Sequence, residues 1–303
     1  MILGLKVDVC SYDGLRVGVP NLLRLFAGHG VRASFFVALG PDTSGRALVR
    51  ALQPGFLAKM RRTGAIRTYG LRTMLSGTLL PPRHLGHRLA STLREVVAAG
   101  HELAIHGYDH RRWQDRIHRM DDPAVREEID RAVTLYREIS GQFPRGFGAP
   151  GWQCTAASLR VLDRAGFAYA SDTRGTGPFF PRVAGRRGRT LQLPTTFPTL
   201  DEVLGLDTPD GDGFAALVCR QLTDRPWPVL TLHAEMEGAG FLAAADRLLA
   251  RLRQAGAKSL PLEVLAERIL QEGEGRIPVT EVVPRPIRGR AGTVAMPAGL
   301  EVA

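Results

Sequence analysis

The sequence has few cysteines and no long apolar run. Its three cysteines, Cys10, Cys154 and Cys219, are odd in number and widely spaced, which argues against a disulfide framework and for reduced thiols. No window approaches the roughly 18–20 apolar residues that a membrane span needs. The N-terminus has neither a basic region nor a long apolar region, so we expect no signal peptide. We therefore expect a protein that is soluble or lies on a membrane without crossing it.

One long stretch also lacks acidic residues, within a chain whose net charge is +10. None lies between Asp42 and Glu95, where basic residues are interleaved with leucine, phenylalanine and methionine. This mixture suits a surface that faces anionic lipid or phosphate, and a solvated basic helix pair is the alternative. Nucleic acid is not expected, because the stretch has few aromatic residues on which bases could stack. The best candidates for membrane or phosphate contact are Arg61, Arg62 and Phe56.

Neither an internal repeat nor a glycine-rich phosphate loop is visible, and strands alternate with helices instead. This alternation predicts an α/β fold with a parallel sheet. The predicted strands span 3–9, 33–39, 102–106, 146–150 (a strand or a loop), 169–172, 191–194 and 229–233. The predicted helices span 20–27, 89–99, 122–139, 155–165, 241–255 and 262–270. We expect one domain over 1–275, with the basic insert at about 43–94 and a flexible tail over 276–303, where no periodic core pattern remains.

Polar residues occupy the C-terminal ends of the predicted strands. Asp8, His106, Asp172 and His233 all lie at such ends, and in an α/β barrel that rim is the active site. His106 and His110 are four residues apart at the end of one strand, so both imidazoles can reach one divalent cation. Two unrelated surface histidines are the alternative.

The first strand adds two further candidates for the same site. Side chains alternate along a strand, so Asp8 and Cys10 project together. A turn-capping Asp8 and a packed thiol at Cys10 are the alternatives. His233 can exchange protons near neutral pH. Asp172 could orient it and Arg174 could supply a fixed cation, unless His233 is structural and the other two form a surface ion pair.

Together these residues suit amide hydrolysis. A bound metal polarises an acyl carbonyl and lowers the pKa of its water. A carboxylate takes the water proton, and a histidine protonates the departing amine.

The order Asp…His-x-x-x-His…Asp…His resembles the polysaccharide deacetylase family, also called the NodB homology family. The strings KVDVCSYDGLRVGVPNLL, FFVALGPDTSGR, IHGYDHRRWQ, APGWQ, YASDTRG, LPTTFPTLDEV and TLHAEMEG are similar to those of its deformylase branch, over about residues 3–270 and including the basic insert. The resemblance implies a distorted (β/α) barrel. By motif position it implies that Asp8 is the general base, that His106 and His110 are metal ligands, and that His233 is the general acid.

The resemblance also implies a substrate, a cofactor and a location. The deformylase branch removes formate from 4-deoxy-4-formamido-L-arabinose attached to undecaprenyl phosphate, a step in lipid A modification and polymyxin resistance. The implied cofactor is one divalent ion: zinc, manganese or cobalt. The implied location is cytoplasmic and peripheral, on the inner face of the bacterial inner membrane, with an anionic membrane surface as partner. No protein partner is predicted.

The sequence departs from the family pattern at two positions. Cys10 stands where the family has a metal-ligating aspartate, and a thiolate would favour Zn²⁺ over Mn²⁺ or Mg²⁺. Otherwise Asp8 itself ligates, or Asp13 turns inward. Gly148 stands where deacetylases usually carry an arginine, and Arg174 is the nearest substitute in the sequence.

Two other functions stay open at this point. One is a polysaccharide N-deacetylase of the same fold, although such an enzyme normally needs export. The other is a metal-free binding module that lost its ion with the change at Cys10.

Overall fold

The protein is described by a computed structural model that covers residues 1–46, 71–222 and 227–302, without the side chains of residues 71 and 72. The candidate contact residues Arg61, Arg62 and Phe56 lie outside the described residues. The strands described are β1 (Ile2–Val9), β2 (Ser34–Val37), β3 (Glu102–Ile105), β4 (Gly146–Phe147), β5 (Tyr169–Ala170), β6 (Phe180–Val183), β7 (Arg186–Arg187), β8 (Leu191–Gln192), β9 (Val229–His233), β10 (Lys258–Leu260), β11 (Val279–Thr280), β12 (Val282–Pro286) and β13 (Thr293–Pro297).

Helices follow most of the strands of the main sheet. They are α1 (Val19–His29), α2 (Leu71–Leu75), α3 (Leu85–Arg88), α4 (Ala90–Ala98), α5 (His110–Arg116), α6 (Asp122–Ser140), α7 (Ala156–Ala165), α8 (Leu200–Val203), α9 (Gly211–Gln221), α10 (Leu242–Gln254) and α11 (Leu262–Gly273). Within the described ranges, no helix is both long and apolar enough to cross a bilayer.

The main sheet is parallel and curved, which confirms the predicted distorted (β/α) barrel. From β1 the strand order runs through β2, β3, β4 and β5 to β8, and β9 pairs with β1 on its free side. The chain after β8 reaches β9, because the Thr196 amide donates to the Val229 carbonyl at 3.0 Å. The carboxyl ends of these parallel strands therefore share one rim.

Local sequence signals agree with the burial of β1 and the bounds of α6. Residues of β1 are buried on both faces, as expected of a parallel strand covered by helices. Helix α6 begins after Asp121, whose carboxylate accepts the Ala124 amide at 3.0 Å, and ends at Gly141 in the left-handed region at φ 72°. These caps agree with the predicted 122–139 helix.

A close approach of two loops links the ends of β1 and β9. The turn Gly14–Gly18 leads into α1 and packs on the loop after β9. A Cβ at Gly18 would lie 2.0 Å from the Ala234 carbonyl oxygen, so only glycine permits this contact. This contact holds the loop after β1 against the loop after β9.

The segment after Arg276 differs from the predicted flexible tail. It forms β11, which pairs with β6, and the antiparallel hairpin of β12 and β13. Val294 and Met296 of the hairpin are buried with Trp152. The segment has no helical or long strand pattern, so its order depends on contacts with distant residues that sequence periodicity does not reveal.

Candidate metal-dependent active site

The carboxyl ends of neighbouring strands bring three predicted site residues to one rim. Asp8 of β1 is in register with His233 at the end of β9. His106 directly follows β3, and its amide donates to the Val37 carbonyl of β2 at 2.9 Å. The three side chains therefore lie at one rim because β9 pairs with β1 and only β2 separates β1 from β3.

Cys10, His106 and His110 form a group that could hold a metal ion. One ligand atom from each lies within 4.8 Å of the others. A tetrahedral zinc ion, with bonds of about 2.0–2.3 Å, separates its ligand atoms by about 3.3–3.8 Å, so small side-chain adjustments would suffice. Two imidazole nitrogens and one sulfur are a donor set that suits zinc.

The hydrogen bond of His106 prepares the ring for a metal. Its Nδ1 lies 2.8 Å from the Gly148 carbonyl oxygen, which can only accept, so Nδ1 carries the proton and Nε2 keeps its lone pair. Burial lowers the pKa of His106 to about 4, despite the opposing effect of Asp8, which keeps the ring neutral as a ligand must be.

Cys10 is held near this cluster by a buried glutamate. Glu235 Oε1 accepts the amides of Cys10 and Ser11, each at 2.7 Å, and the Ser11 hydroxyl at 3.0 Å. Burial, together with the charges of Glu235 and Asp8, raises the pKa of the Cys10 thiol. A bound cation would oppose this shift, because metal coordination deprotonates a thiol.

Asp8 carries its charge in a buried position. Its Oδ1 lies 3.2 Å from Lys6 Nζ, and its Oδ2 lies 3.9 Å from His106 Nε2. Burial opposes ionisation of Asp8, but nearby positive charge, above all the Lys6 ammonium, outweighs it and lowers the pKa. Asp8 is therefore a carboxylate with one oxygen facing the metal-ligand cluster, as a general base requires.

His233 lies on the other side of Asp8 and is partly accessible. Its amide donates to Glu237 Oε2 at 2.8 Å, and its ring meets Trp152 edge-on at 6.2 Å between centroids. The ring atom Nδ1 is buried without a hydrogen-bond partner. Trp152 itself is held at φ 53°, an unfavourable conformation for a residue other than glycine, and its Nε1 donates to Thr195 Oγ1 at 3.1 Å.

Asp172 has a different partner from the predicted one. Instead of orienting His233, its Oδ2 accepts Gln192 Nε2 at 3.0 Å, and its amide donates to Gln192 Oε1 at 3.2 Å. Burial raises the pKa of Asp172 to about 7. Asp172 follows β5, and β8 pairs with β5, so Gln192 of β8 lies beside it.

Arg174 is not the free cation that the sequence suggested. Its Nη1 donates to both carboxylate oxygens of Glu202, at 2.7 and 2.8 Å, and its other nitrogens donate to the carbonyls of Thr195 and Phe197. The side chain is 2% exposed, and these bonds give it a structural role. Lys6, rather than Arg174, is the cation beside Gly148: a Cβ at Gly148 would lie 3.3 Å from Lys6 Nζ.

The two described ends of the basic insert border this site. Asp42 Oδ2 accepts the Tyr12 amide at 2.9 Å, and Thr43 Oγ1 donates to Asp109 Oδ1 at 3.0 Å. The carboxylate of Asp13 pairs with Arg83 at 3.5 Å. Asp13 therefore faces the insert, which excludes the alternative in which it turns toward the metal ligands.

Sequence reasoning missed several residues that surround the predicted ones, namely Lys6, Trp152, Gln192 and Glu235. Lys6 gave a usable signal, since a lysine two residues before Asp8 in a buried strand shares its face. Glu235 lies only two residues after His233, whereas Trp152 and Gln192 lie on other segments, and no local pattern connects those two to the site.

Comparisons with known proteins point to one family. Residues 5–170 match the family model described as polysaccharide deacetylase. A protein of Shewanella sediminis (strain HAW-EB3), named "Probable 4-deoxy-4-formamido-L-arabinose-phosphoundecaprenol deformylase ArnD", is 34% identical over 297 residues, covering 98% of this chain and 95% of its own. A protein of the same name from Wigglesworthia glossinidia brevipalpis is 29% identical, covering 93% of this chain and 97% of its own.

Solved structures share the fold at lower identity. The PuuE allantoinase is 18% identical with a TM-score of 0.64, covering 90% of this chain and 91% of its own. A family 4 acetyl xylan esterase from Clostridium thermocellum, solved with a cobalt ion, is 14% identical with a TM-score of 0.53, covering 88% of this chain and 91% of its own. At these identities the likeness shows the fold alone.

Proposed function

The chain belongs to the polysaccharide deacetylase family, and on that premise we propose that it is a metal-dependent deformylase. Its substrate is 4-deoxy-4-formamido-L-arabinose attached to undecaprenyl phosphate, and its products are formate and the free 4-amino sugar used in lipid A modification and polymyxin resistance. The observation that carries the proposal is the meeting of Cys10, His106 and His110 beside the ionised Asp8. The two relatives named as deformylases, matched over nearly their full length, supply the substrate.

The residues divide the chemistry between them. Cys10, His106 and His110 would hold a divalent ion, which would supply Lewis acidity and lower the pKa of water. Asp8 Oδ2, the oxygen facing the ligand cluster, accepts the proton of the attacking water. His233 donates a proton to the sugar nitrogen as the carbon–nitrogen bond breaks. The hydroxyl oxygen thus ends on formate and the nitrogen leaves as an amine.

The direct test measures the acyl product. Purified protein is incubated with the lipid-linked formamido sugar and, separately, with its acetamido analogue, and formate and acetate are quantified. We expect formate release by the wild type and none by Asp8→Asn, because an amide cannot accept the water proton. Faster acetate release would support a deacetylase, and loss of neither acyl group by the wild type would support a binding module.

The insert is proposed to bring the site onto an anionic membrane. The polyprenyl tail of the substrate stays in the bilayer, so the rim must approach the headgroups. At the described end of the insert Leu79 is 81% exposed, and Leu80 beside it is 36% exposed. Exposed leucines next to a basic stretch suit membrane insertion, and each lysine or arginine near an anionic surface contributes about 1 kcal/mol. From the sequence we add Arg61 and Arg62, beside Phe56, as contacts.

Vesicle binding tests this surface. Arg61→Glu with Arg62→Glu, and separately Leu79→Glu, should release the protein from vesicles that contain anionic lipid. Both variants should lose far more activity on the lipid-linked substrate than on a short-chain soluble analogue. The matched control is Val97→Glu, since Val97 is 46% exposed on α4, away from the rim. Equal losses on both substrates would mean that the insert serves folding or the site itself, and unchanged vesicle binding would place the membrane surface elsewhere.

A further inference from the structure

Lys6 is a buried cation at the floor of the candidate site. Its exposed fraction is 0%, and its ammonium lies 4.7 Å from the centroid of the Phe36 ring and 5.8 Å from that of Trp152. Only three of the 40 basic residues of the chain are lysines: Lys6, Lys59 and Lys258. A compact ammonium rather than the usual arginine therefore occupies this position.

Asp8 is the carboxylate that Lys6 contacts. Lys6 Nζ lies 3.2 Å from Asp8 Oδ1, and no other ion pair of Lys6 is found among the described residues. The same ammonium donates to the Ser171 carbonyl at 3.4 Å. Lys6 is thereby fixed between a backbone oxygen and one oxygen of Asp8.

The other nearby carboxylate is satisfied differently. Asp172 accepts a hydrogen bond from Gln192, and burial raises the pKa of Asp172 to about 7. Asp8 is therefore the carboxylate that lies within ion-pair distance of Lys6, whereas Asp172 is hydrogen-bonded to Gln192. Gly148 packs closely on this group, because a Cβ there would lie 2.7 Å from Phe36 Cδ1 and 3.3 Å from Lys6 Nζ.

We propose that Lys6 is a positioning residue for hydrolysis: its ammonium holds Asp8 Oδ1, so that Oδ2 is presented toward the ligand cluster and the attacking water. The proposal rests on the proposed function where it takes Asp8 as the base. Burying a carboxylate without a charged partner is unfavourable in free energy, and without Lys6 the Asp8 side chain would rotate toward another hydrogen-bond donor. Fixing one oxygen in advance means that the other needs no reorganisation during the reaction.

Turnover of Lys6→Met tests the role directly, because methionine keeps the length and loses the charge. We expect kcat to fall by about 10²-fold or more, with KM changed less than about threefold and with unchanged metal content. The control is Lys258→Met, an exposed lysine on β10, which should behave as the wild type. A kcat within about threefold of the wild type in Lys6→Met would overturn the proposal.

Chemical rescue separates charge from packing. The Lys6→Ala variant lacks the three outer methylene groups and the ammonium of lysine. Propylammonium has the size and charge of the missing part, whereas propanol has a similar size and no charge. We expect propylammonium to raise the kcat of Lys6→Ala at least tenfold and propanol to leave it unchanged. Equal rescue by both compounds would show that Lys6 only fills space.

A stability cycle tests the pair without any assay of activity. Lys6→Met should lower the melting temperature because it strands the Asp8 charge, and adding Asp8→Asn should restore part of the loss. Additive losses in the double variant would refute the pairing. If the wild type releases no formate, the proposed function fails, while the cycle still decides whether Lys6 holds Asp8.

Discussion

Cys10 and Asp8 project from the same side at the end of β1, and in the proposed function the residue at position 10 sets which ion the site prefers. A sulfur donor beside two imidazoles favours zinc, whereas a carboxylate favours harder ions such as manganese. The hydrogen bond to the Gly148 carbonyl fixes the tautomer of His106, so Nε2 is the ring nitrogen that keeps its lone pair. The proposed function thus assigns ion choice to Cys10 and proton transfer to Asp8 and His233.

Substitution of Cys10 should change the metal preference. We expect Cys10→Ser to weaken zinc binding and Cys10→Asp to retain an ion while shifting preference toward manganese, because oxygen replaces sulfur. Competition titrations with both ions measure the shift, with Cys219→Ser, a cysteine outside the cluster, as control. Unchanged affinity and preference in both Cys10 variants would make Cys10 a packed thiol.

Removal of the His233 ring should slow the chemical step. We expect His233→Ala to lower kcat by about 10²- to 10⁴-fold, the usual contribution of a general acid, with normal metal content. The exposed His118→Ala is the matched control. Full activity of His233→Ala across the pH range would assign proton donation to another group.

At the scale of the element, periodic segments were predictable and contact-dependent ones were not. The 3.6-residue pattern and the caps placed α6 and α10 within one or two residues, and the apolar run ending in His233 placed β9. Helix α9 begins among glycines and was missed. The hairpin β12–β13 was predicted as tail, because its strands are stabilised by Trp152 rather than by their own pattern.

The hairpin therefore contributes to stability through its buried side chains. Met296 is 1% exposed, so Met296→Ala should lower the free energy of unfolding by about 2–5 kcal/mol through lost burial and a cavity. Urea unfolding measures the loss. Thr293→Ala, an exposed residue of the same strand, should stay within about 0.5 kcal/mol of the wild type. Wild-type stability in Met296→Ala would mean that the hairpin is not packed as described.

At the scale of the molecule, the two ends of the barrel carry different kinds of buried charge. The rim holds the candidate catalytic residues. At the amino ends of the strands, Glu102 accepts the Tyr169 hydroxyl at 2.7 Å and the Glu263 amide at 3.0 Å, and also the Ser34 hydroxyl. Burial, reinforced by the charge of Glu263, raises the pKa of Glu102 from 4.5 to about 7. No sequence pattern predicted this cluster, since its members come from separate strands and a helix.

Glu102 should make stability depend on pH. Its folded-state pKa lies above its unfolded value, so the folded state retains a proton that the unfolded chain releases between pH 4.5 and about 7. Protonated Glu102 therefore contributes to the free energy of unfolding at the acidic end of that window, and this contribution is lost as pH rises through about 7. Glu102→Gln should therefore flatten the fall in melting temperature across the window, whereas the exposed Glu95→Gln should not. Identical pH profiles for wild type and Glu102→Gln would contradict the assignment.

The most direct test of the account is a metal titration of the metal-stripped protein, with bound ion and formate release from the lipid-linked formamido sugar measured on the same samples. We expect formate release to rise in proportion to bound ion and to level off at about one ion per chain, while His106→Ala and His110→Ala lose both together. Formate release at the wild-type rate from metal-free protein, or from a variant lacking either histidine, would contradict the account.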